Sequence, residues 1–260
     1  MITAGCDVGS RTAKAVIIED HTIIASAVIS AKLDPIDSAQ SVMTLALEQA
    51  DLALDDIKKI AGTGYGQQEI PFAHTCESEI VCHAKGAFWN IPTAKMIVDI
   101  GGQDSKAIKL NKDGKVIRYS YNDKCAAGTG RFLEIMADAL SVELDKMGEY
   151  GKSFKEEISI SNQCVIFAET EVVSLINEEK DVADILNALH CSLGKRVASQ
   201  VRSLIIEEDV IMTGGVAKNI GVFDALSQGL GVRLKHLEGI DPQINGALGA
   251  ALIAAEVNHT

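Results

Sequence analysis

A short motif that occurs twice constrains the fold of this chain more than any other feature. In both copies an Asp ends an apolar strand, a Gly follows two residues later, and a Lys-Ala pair begins seven residues after the Asp. The copies begin at Asp7 and Asp99, and each continues into a third apolar strand, over residues 21–29 and 115–121, before a helical segment. We therefore predict two duplicated units, each a three-stranded meander followed by helices.

Periodicity predicts the remaining elements. Helices are predicted at 38–51, 79–90, 131–140, 164–177, 182–204, 220–228 and 245–257, and further strands at 58–62 and 209–212. This alternation indicates an α/β fold. With 260 residues, of which 47% are hydrophobic, the chain can form two modest cores. Because no linker rich in Pro, Gly or Ser interrupts it, we expect two domains that meet at a tight cleft.

Charge and composition exclude several classes of function. The chain has 36 acidic and 24 basic residues, a formal charge of -12, which repels a phosphate backbone and argues against a nucleic-acid partner. No apolar run approaches the roughly 20 residues of a membrane span, and the N-terminus has no signal-peptide pattern. We therefore expect a cytoplasmic protein without a membrane partner. In that compartment the six cysteines are reduced core residues, metal ligands or redox groups.

The two hairpins have the chemistry of a phosphate site. Glycines at Gly9, Gly101 and Gly102 let backbone N-H groups approach phosphate oxygens, and each Asp can hold Mg²⁺ through water. A single Asp-x-Gly is usually an ordinary turn, so the matched pair carries the argument. A third element, Gly214-Gly215, lies between a buried strand and a helix, where a flat base can rest on bare backbone.

The order of these elements resembles the acetate and sugar kinase, heat-shock chaperone and actin superfamily. It runs from the first hairpin through a connecting element at 62–66, the second hairpin and the adenosine element at 214–219 to a closing helix at 245–247. The resemblance implies a two-domain actin-like ATPase fold of duplicated βββαβαβα-type units, with ATP or ADP between the domains. The implied domains are 1–68 plus 245–260, and 69–244, which carries the cysteines discussed below.

The same resemblance assigns roles to individual residues. Asp7 and Asp99 are expected around Mg²⁺, and Gln103 or Asp104 near the attacking water. The residues expected to contact the nucleotide are Gly9, Ser10, Arg11, Thr12, Lys14, Gly101, Gly102, Gly214, Gly215, Val216, Lys218, Asn219, Asn245 and Gly246.

Two cysteines stand at predicted helix starts. Cys125 precedes Ala-Ala-Gly-Thr-Gly at a strand-to-helix junction, and Cys164 follows Ser161 and Asn162, either of which can cap the next helix. A positive helix end favours a thiolate and the anionic cluster that it binds. Most single cysteines at such positions are inert, so one alone would not indicate a site. If only these two are ligands, a four-iron cluster needs a second chain, which a twofold dimer supplies.

The other four cysteines have weaker patterns. Cys6 and Cys191 lie in apolar segments and are predicted to be core residues. Cys76, Cys82 and His83 lack a fourth ligand at zinc-site spacing.

The cysteine segments, together with the second hairpin and the adenosine element, closely resemble the activator proteins of 2-hydroxyacyl-CoA dehydratases. Similar sequences serve as ATPase modules of benzoyl-CoA reductases and as reductases of double-cubane cluster proteins. The resemblance implies a homodimer in which one 4Fe-4S cluster bridges Cys125 and Cys164 of both subunits. It also implies an anaerobic reductive activase that receives electrons from a flavodoxin or ferredoxin. ATP hydrolysis would accompany single-electron transfer to a separate iron-sulfur metalloprotein.

Two other functions use the same fold and the same nucleotide site. A small-molecule kinase needs a sugar or acyl-acid pocket, for which the segment between the hairpins, residues 15–98, leaves little room. A non-redox actin-like ATP switch or scaffold needs no cluster. Iron content and oligomeric state after anaerobic purification distinguish these two functions from the reductive activase.

Overall fold

The two copies of the motif form two sheets with the same strand order in the computed structural model, which describes residues 1–160 and 164–256. The first sheet contains β1 (Ile2–Val8), β2 (Thr12–Glu19), β3 (Thr22–Ser30), β4 (Lys59–Thr63) and β5 (Thr75–Cys76), in the order β3-β2-β1-β4-β5. The second contains β6 (Met96–Ile100), β7 (Ser105–Leu110), β8 (Val116–Asn122), β9 (Val210–Thr213) and β10 (Leu234–Lys235), in the order β10-β9-β6-β7-β8. In each sheet the motif strand is central, with its meander on one side and the later strands on the other. The predicted duplication is confirmed.

Eight helices lie within the described residues. They are α1 (Pro35–Ala50), α2 (Glu79–Asn90), α3 (Gly130–Leu140), α4 (Met147–Gly151), α5 (Val165–Asn177), α6 (Val182–Arg202), α7 (Ile220–Leu230) and α8 (Asn245–Glu256). Side-chain caps fix several of their starts: Asp34 accepts from Ile36 N, Asp181 from Ala183 N and Asn219 from Val222 N. None of the described helices is long and apolar enough to cross a membrane.

The chain divides into two compact units. The first comprises Met1–Ile97, Ile108–Ile117 and the chain from Leu237 onward, and the second comprises Val98–Ala107 and Arg118–His236. These limits differ from the division at residues 68 and 244, which stays a prediction about the domains.

The first unit buries both faces of its sheet. Alternate residues of β2 point to opposite sides: Ile17 packs in the core that includes Val42 and Met43 of α1, and Val16 packs with Leu248 of α8. This explains why β2 has an unbroken apolar run from Ala15 to Ile18 rather than an alternating pattern. A Cβ on Gly5 of β1 would lie 1.9 Å from the Ala247 carbonyl oxygen, so α8 rests directly on the strand.

Helices dominate the second unit. The long α6 packs against α4 and α7, and α3 packs against α5. A Cβ on Gly194 of α6 would lie 2.9 Å from the backbone of Ala225, so small residues set the close approach of α6 and α7. Because Asp181 caps α6 and its apolar face is buried, the helix presents a fixed row of polar side chains on its other face.

The predicted helices and strands are all present, with shifts at their ends. The first helix begins three residues early, at Pro35, because Asp34-Pro35 forms a cap and first turn. The predicted end of the last helix, Val257, lies outside the described residues. Neither α4 nor the two-residue strands β5 and β10 were predicted from the sequence.

Candidate nucleotide and cysteine sites

The first hairpin places a buried carboxylate beside a lysine. Asp7, the penultimate residue of β1, is 3% exposed and lies opposite Lys14 in the β1–β2 register. Lys14 Nζ lies 3.2 Å from Asp7 Oδ2. Gly9 N donates to Thr12 O at 3.1 Å and closes the turn. Within residues 1–160 and 164–256, no donor bonds to Asp7 Oδ1, although the atom is buried. A buried carboxylate oxygen of this kind is a ligand position, since burial without a partner is costly.

Backbone from two other elements approaches the same carboxylate. A Cβ on Gly64, which follows β4 with φ of +93°, would lie 2.5 Å from Asp7 Oδ1. A Cβ on Gly246, at the start of α8, would lie 3.0 Å from Asp7 Oδ2. Asn245 is fully buried, and its Nδ2 donates to the His83 carbonyl oxygen at 3.0 Å. Residues without side chains therefore keep the surroundings of Asp7 open to a ligand.

The second hairpin carries a denser polar network. Asp99 is 3% exposed, and Lys106 Nζ lies 3.5 Å from Asp99 Oδ2 and 2.9 Å from Asp104 Oδ2. The Tyr121 hydroxyl donates to Asp104 Oδ2 at 3.0 Å, and Gly101 N donates to Asp104 O at 3.0 Å. The Asp–Lys spacing predicted from the repeat thus gives an ion pair in both copies.

A Thr-Gly pair follows at the end of the strand next to each hairpin. Thr213 Oγ1 donates to Asp99 Oδ1 at 2.9 Å. Gly214 has φ of +84°, and a Cβ there would lie 2.4 Å from the Ile100 carbonyl oxygen. Thr63-Gly64 takes the equivalent place in the first unit, after β4. The pairing of these dipeptides was not predicted, although both follow apolar strands and could have been recognised as part of the repeat.

The predicted adenosine element continues into a short turn. Gly215–Lys218 form one 3-10 turn, and Asn219 caps α7. Asn219 Nδ2 lies 3.3 Å from Nε2 of His190, a buried residue of α6. Burial lowers the pKa of His190 to about 4, so the neutral ring accepts this hydrogen bond. His190 had no sequence signal beyond its place on an apolar helix face.

The other predicted nucleotide residues differ in exposure. Buried or partly buried residues are Thr12, Gly102 and Val216, whereas Ser10, Arg11, Gln103, Gly215 and Lys218 are exposed. In each unit, taken by itself, exposed side chains lie beside the buried carboxylate of its hairpin.

Cys125 stands at the predicted strand-to-helix junction. Asn122 brackets it, since Asn122 Oδ1 accepts from Cys125 N at 3.2 Å and Asn122 Nδ2 donates to Cys125 O at 3.0 Å. Arg196 Nη2 of α6 donates to Cys125 Sγ at 2.9 Å. A 3-10 turn follows at Ala126–Gly128, and α3 begins at Gly130. Arg196 had no sequence signal, because helical periodicity does not reveal which polar side chain reaches another segment.

Hydrogen bonds join the start of α3 to the second hairpin. Gly130 N donates to Gly101 O and Arg131 N donates to Gly102 O, both at 2.8 Å. The orphan N-H groups of this helix end are thus satisfied by the hairpin backbone. The segment that follows Cys125 is therefore bonded directly to the hairpin.

Cys164 is exposed and occupies the N-cap position of α5. The predicted caps Ser161 and Asn162 lie outside the described residues. Although α5 is strongly apolar, only Ala168 and Val172 are buried along it. Its large exposed apolar side chains are Ile166, Phe167, Val173 and Ile176.

Desolvation affects the thiol pKa of all four remaining cysteines, most strongly where the side chain is buried. It raises the pKa of Cys82 to about 12 and that of Cys6 further, and it also raises the pKa of Cys76 and Cys191. Cys6 and Cys82 are fully buried. No group of three or more His, Cys, Asp or Glu residues suited to a metal occurs among the described residues.

A cavity of about 560 Å³ opens beside Cys125 within the second unit. Its lining includes Ser105, Asn122, Gly128, Arg196 and Gln200. None of the predicted nucleotide-contacting residues lines it. It therefore lies between the surroundings of Cys125 and the Ser105 end of the second hairpin.

Comparisons with known proteins match almost the whole chain. Residues 4–254 match the model of the BadF/BadG/BcrA/BcrD ATPase family. The activator of lactoyl-CoA dehydratase from Anaerotignum propionicum is 42% identical, with 98% of each chain covered. The solved Clostridium difficile activator of 2-hydroxyisocaproyl-CoA dehydratase, with bound ADPNP, is 40% identical with a TM-score of 0.94, covering 98% of this chain and 94% of that one. Component A of the Acidaminococcus fermentans (R)-2-hydroxyglutaryl-CoA dehydratase is 39% identical with a TM-score of 0.95, covering 99% and 98%.

More distant likenesses extend the comparison. A subunit of the benzoyl-CoA reductase of Thauera aromatica is 29% identical, with 98% of this chain and 93% of that protein covered. A glucokinase of Streptomyces griseus has 13% identity and a TM-score of 0.60, covering 98% and 100%, a likeness of fold alone. The predicted actin-like ATPase fold is confirmed.

Proposed function

The chain belongs to the BadF/BadG/BcrA/BcrD ATPase family, and on that premise we propose that it is an ATP-hydrolysing reductive activator of a 2-hydroxyacyl-CoA dehydratase or a related reductase. The predicted relation to dehydratase activators and to the benzoyl-CoA reductase ATPase is confirmed by the matches above. The observation that carries the proposal is the matched pair of hairpins, each with a buried Asp paired to a Lys and a Thr-Gly at the end of the neighbouring strand.

The first hairpin fits a magnesium nucleotide. Asp7 has one oxygen held by Lys14 and a second, buried oxygen that accepts no hydrogen bond within the described part of the chain. A hydrated Mg²⁺ would satisfy it. Gly9 and Gly64 let the backbone pack tightly around Asp7, because a Cβ on either residue would lie within 3.1 Å of an oxygen of the hairpin. We therefore assign Asp7 to the binding of Mg²⁺.

The second hairpin would also bind phosphate oxygens of the nucleotide. Gly101 and Gly102 bring backbone close to the phosphates, with Asp99 near Mg²⁺. Asp104, fixed by Lys106 and Tyr121, or Gln103 beside it, would orient the attacking water. The turn from Gly214 to Asn219 would carry the adenosine.

The two helix-start cysteines fit half of a cluster site. Both are free thiols, Cys125 accepts a hydrogen bond from Arg196, and the helices that follow the two cysteines pack against each other. A four-iron cluster requires four thiolates, and each chain offers two at such positions. A second copy would supply the others, and the exposed apolar side chains of α5 next to Cys164 suit burial in that contact. A bound 4Fe-4S cluster would supply a group that takes up and releases one electron.

The residues of this chain then have separate tasks. The hairpins bind and orient the nucleotide, and Asp104 or Gln103 positions water. Asn122 and Arg196 hold Cys125 in place. A flavodoxin or ferredoxin would be the electron donor and a separate iron-sulfur enzyme the acceptor, in the anaerobic cytoplasm.

Activation of a partner enzyme tests the proposal. Anaerobically purified protein is mixed with an inactive dehydratase, reduced flavodoxin or ferredoxin, and either ATP or a non-hydrolysable analogue. We expect dehydratase activity to appear with ATP and not with the analogue. Equal activation with the analogue, or phosphorylation of a sugar or acyl acid without activation, would contradict it.

A further inference from the structure

One face of α6 holds both the second hairpin and Cys125. Gln200 Oε1 accepts from Ser105 Oγ at 2.9 Å, and Gln200 Nε2 donates to Ser105 O at 3.0 Å and to Ser120 O at 3.1 Å. Ser105 is fully buried and follows Asp104 directly. One helical turn earlier, Arg196 Nη2 donates to Cys125 Sγ at 2.9 Å.

The spacing puts these two side chains on one face of a fixed helix. Residues four apart in an α-helix are neighbours on its surface. Because α6 is capped at Asp181 and packed against α4 and α7, we expect it to behave as one rigid element. A displacement of Ser105 would therefore carry Arg196, and with it the sulfur of Cys125.

We propose that Gln200 and Arg196 are positioning residues that transmit the nucleotide state of the second hairpin to Cys125 through α6. The inference rests on the proposed function, in which the hairpin binds nucleotide and Cys125 is a cluster ligand. It adds two residues that neither the hairpins nor the cysteine motifs include. The hydrogen bonds of the Gln200 amide support the assignment. They reach Ser105 in β7 and Ser120 in β8, the two strands that lead from the hairpin to Cys125.

A second route from the hairpin exists and must be separated from the first. The backbone bonds from Gly130 and Arg131 to the hairpin carbonyls join it to α3 without α6. If those bonds alone transmit the change, loss of Gln200 leaves the response of the cysteine segment intact. Contiguous contacts suggest a path, and only a coupling measurement establishes it.

Hydrogen exchange of the anaerobically purified full-length protein tests the inference. Exchange is measured with ADP and with a non-hydrolysable ATP analogue, in peptides covering the hairpin (101–106) and the cysteine segment (122–131). In the wild type we expect the exchange rates of both segments to differ between nucleotides by about fivefold or more, the lower range of coupling between sites. In Gln200→Leu the hairpin should still respond and the cysteine segment should not.

Controls keep the outcomes distinct. Ser199→Ala changes an exposed neighbour on the same helix and should retain both responses. Arg196→Lys keeps the charge but loses the guanidinium fork, and it should also lose the response at the cysteine segment. This variant provides the test if Gln200→Leu does not fold. An unchanged response of that segment in either folded variant overturns the inference. If neither nucleotide changes the hydrogen exchange of the wild-type hairpin, the proposed function itself is contradicted.

Where the cluster is present, its midpoint potential gives a second readout. The difference in potential between ADP and the ATP analogue should shrink in Gln200→Leu while iron content is unchanged. A difference equal to that of the wild type would also overturn the inference.

Discussion

The glycine that closes the second hairpin should tolerate no side chain, and Gly214→Ala tests this. Gly214 has φ of +84° and ψ of 175°, a region almost restricted to glycine, and an alanine there costs about 1–3 kcal/mol of backbone strain. The new Cβ would also lie 2.4 Å from the Ile100 carbonyl oxygen and 2.9 Å from Asp99 Oδ1. Relief of such overlap costs about 1–3 kcal/mol more. We expect a total loss of about 2–6 kcal/mol in the free energy of unfolding.

Gly231 provides the matched control. It ends α7 with φ of +72° and ψ of 22°, and a Cβ there would meet no atom within 4 Å. Gly231→Ala should therefore cost only the left-handed strain of about 1–2 kcal/mol.

Chemical denaturation of both variants, with and without ADP, gives the comparison. Gly214→Ala should lose stability and also the stabilisation by ADP, because the hairpin moves away from Gly214. Gly231→Ala should retain the ADP effect. Equal losses in the two variants, or full stabilisation of Gly214→Ala by ADP, would refute the reasoning.

Three further predictions concern charge, iron and pH. Asp7→Asn should lower ATP hydrolysis about a hundredfold or more with iron retained, and wild-type turnover in this variant would remove Asp7 from the metal site. Cys125→Ser and Cys164→Ser should each lose iron in anaerobic preparations while Cys76→Ser keeps it; retention in both would disprove the ligand assignment. His190, with its pKa lowered to about 4 by burial, is neutral when folded, whereas the unfolded chain binds a proton below about pH 6.5. The contribution of His190 to the free energy of unfolding is therefore complete above pH 6.5 and falls by about 3 kcal/mol as the pH drops to 4. Unfolding measured as a function of pH should show this loss in the wild type and not in His190→Gln.

An exposed carboxylate at the other end of the β1–β2 hairpin controls for the charge change at Asp7. Asp20, beyond the end of β2, is exposed and in the same unit. Asp20→Asn should hydrolyse ATP at the wild-type rate. A comparable loss in both variants would mean that net charge, and not the hairpin, sets turnover.

Local sequence patterns predicted most helices and strands because periodicity and caps act over a few residues. The prediction for α2 matched at both ends, since Ser78 caps it and its apolar spacing is regular. The two-residue strands β5 and β10 were missed because they are too short to show a period. Their presence depends on pairing with β4 and β9, which is a tertiary effect.

For the candidate site, the repeat in the sequence located the two hairpins, and the roles of their residues stay predictions. The Asp7–Lys14 ion pair follows from opposite positions in the β1–β2 hairpin, and Asp99 and Lys106, which have the same spacing in sequence, also form an ion pair. The bond from Arg196 to Cys125 spans 71 residues and depends on where α6 packs. The same holds for Thr213 and Asp99, which meet only because β9 lies beside β6. Contacts between distant segments leave no local pattern.

Native mass spectrometry of the anaerobically purified protein tests the central claim most directly. The measurement gives the number of chains together with the bound iron and sulfur. We predict a dimer that carries one 4Fe-4S cluster and loses it, with both chains intact, when Cys125 is replaced by serine. An iron-free monomer, or one cluster in each separate chain, would contradict the account.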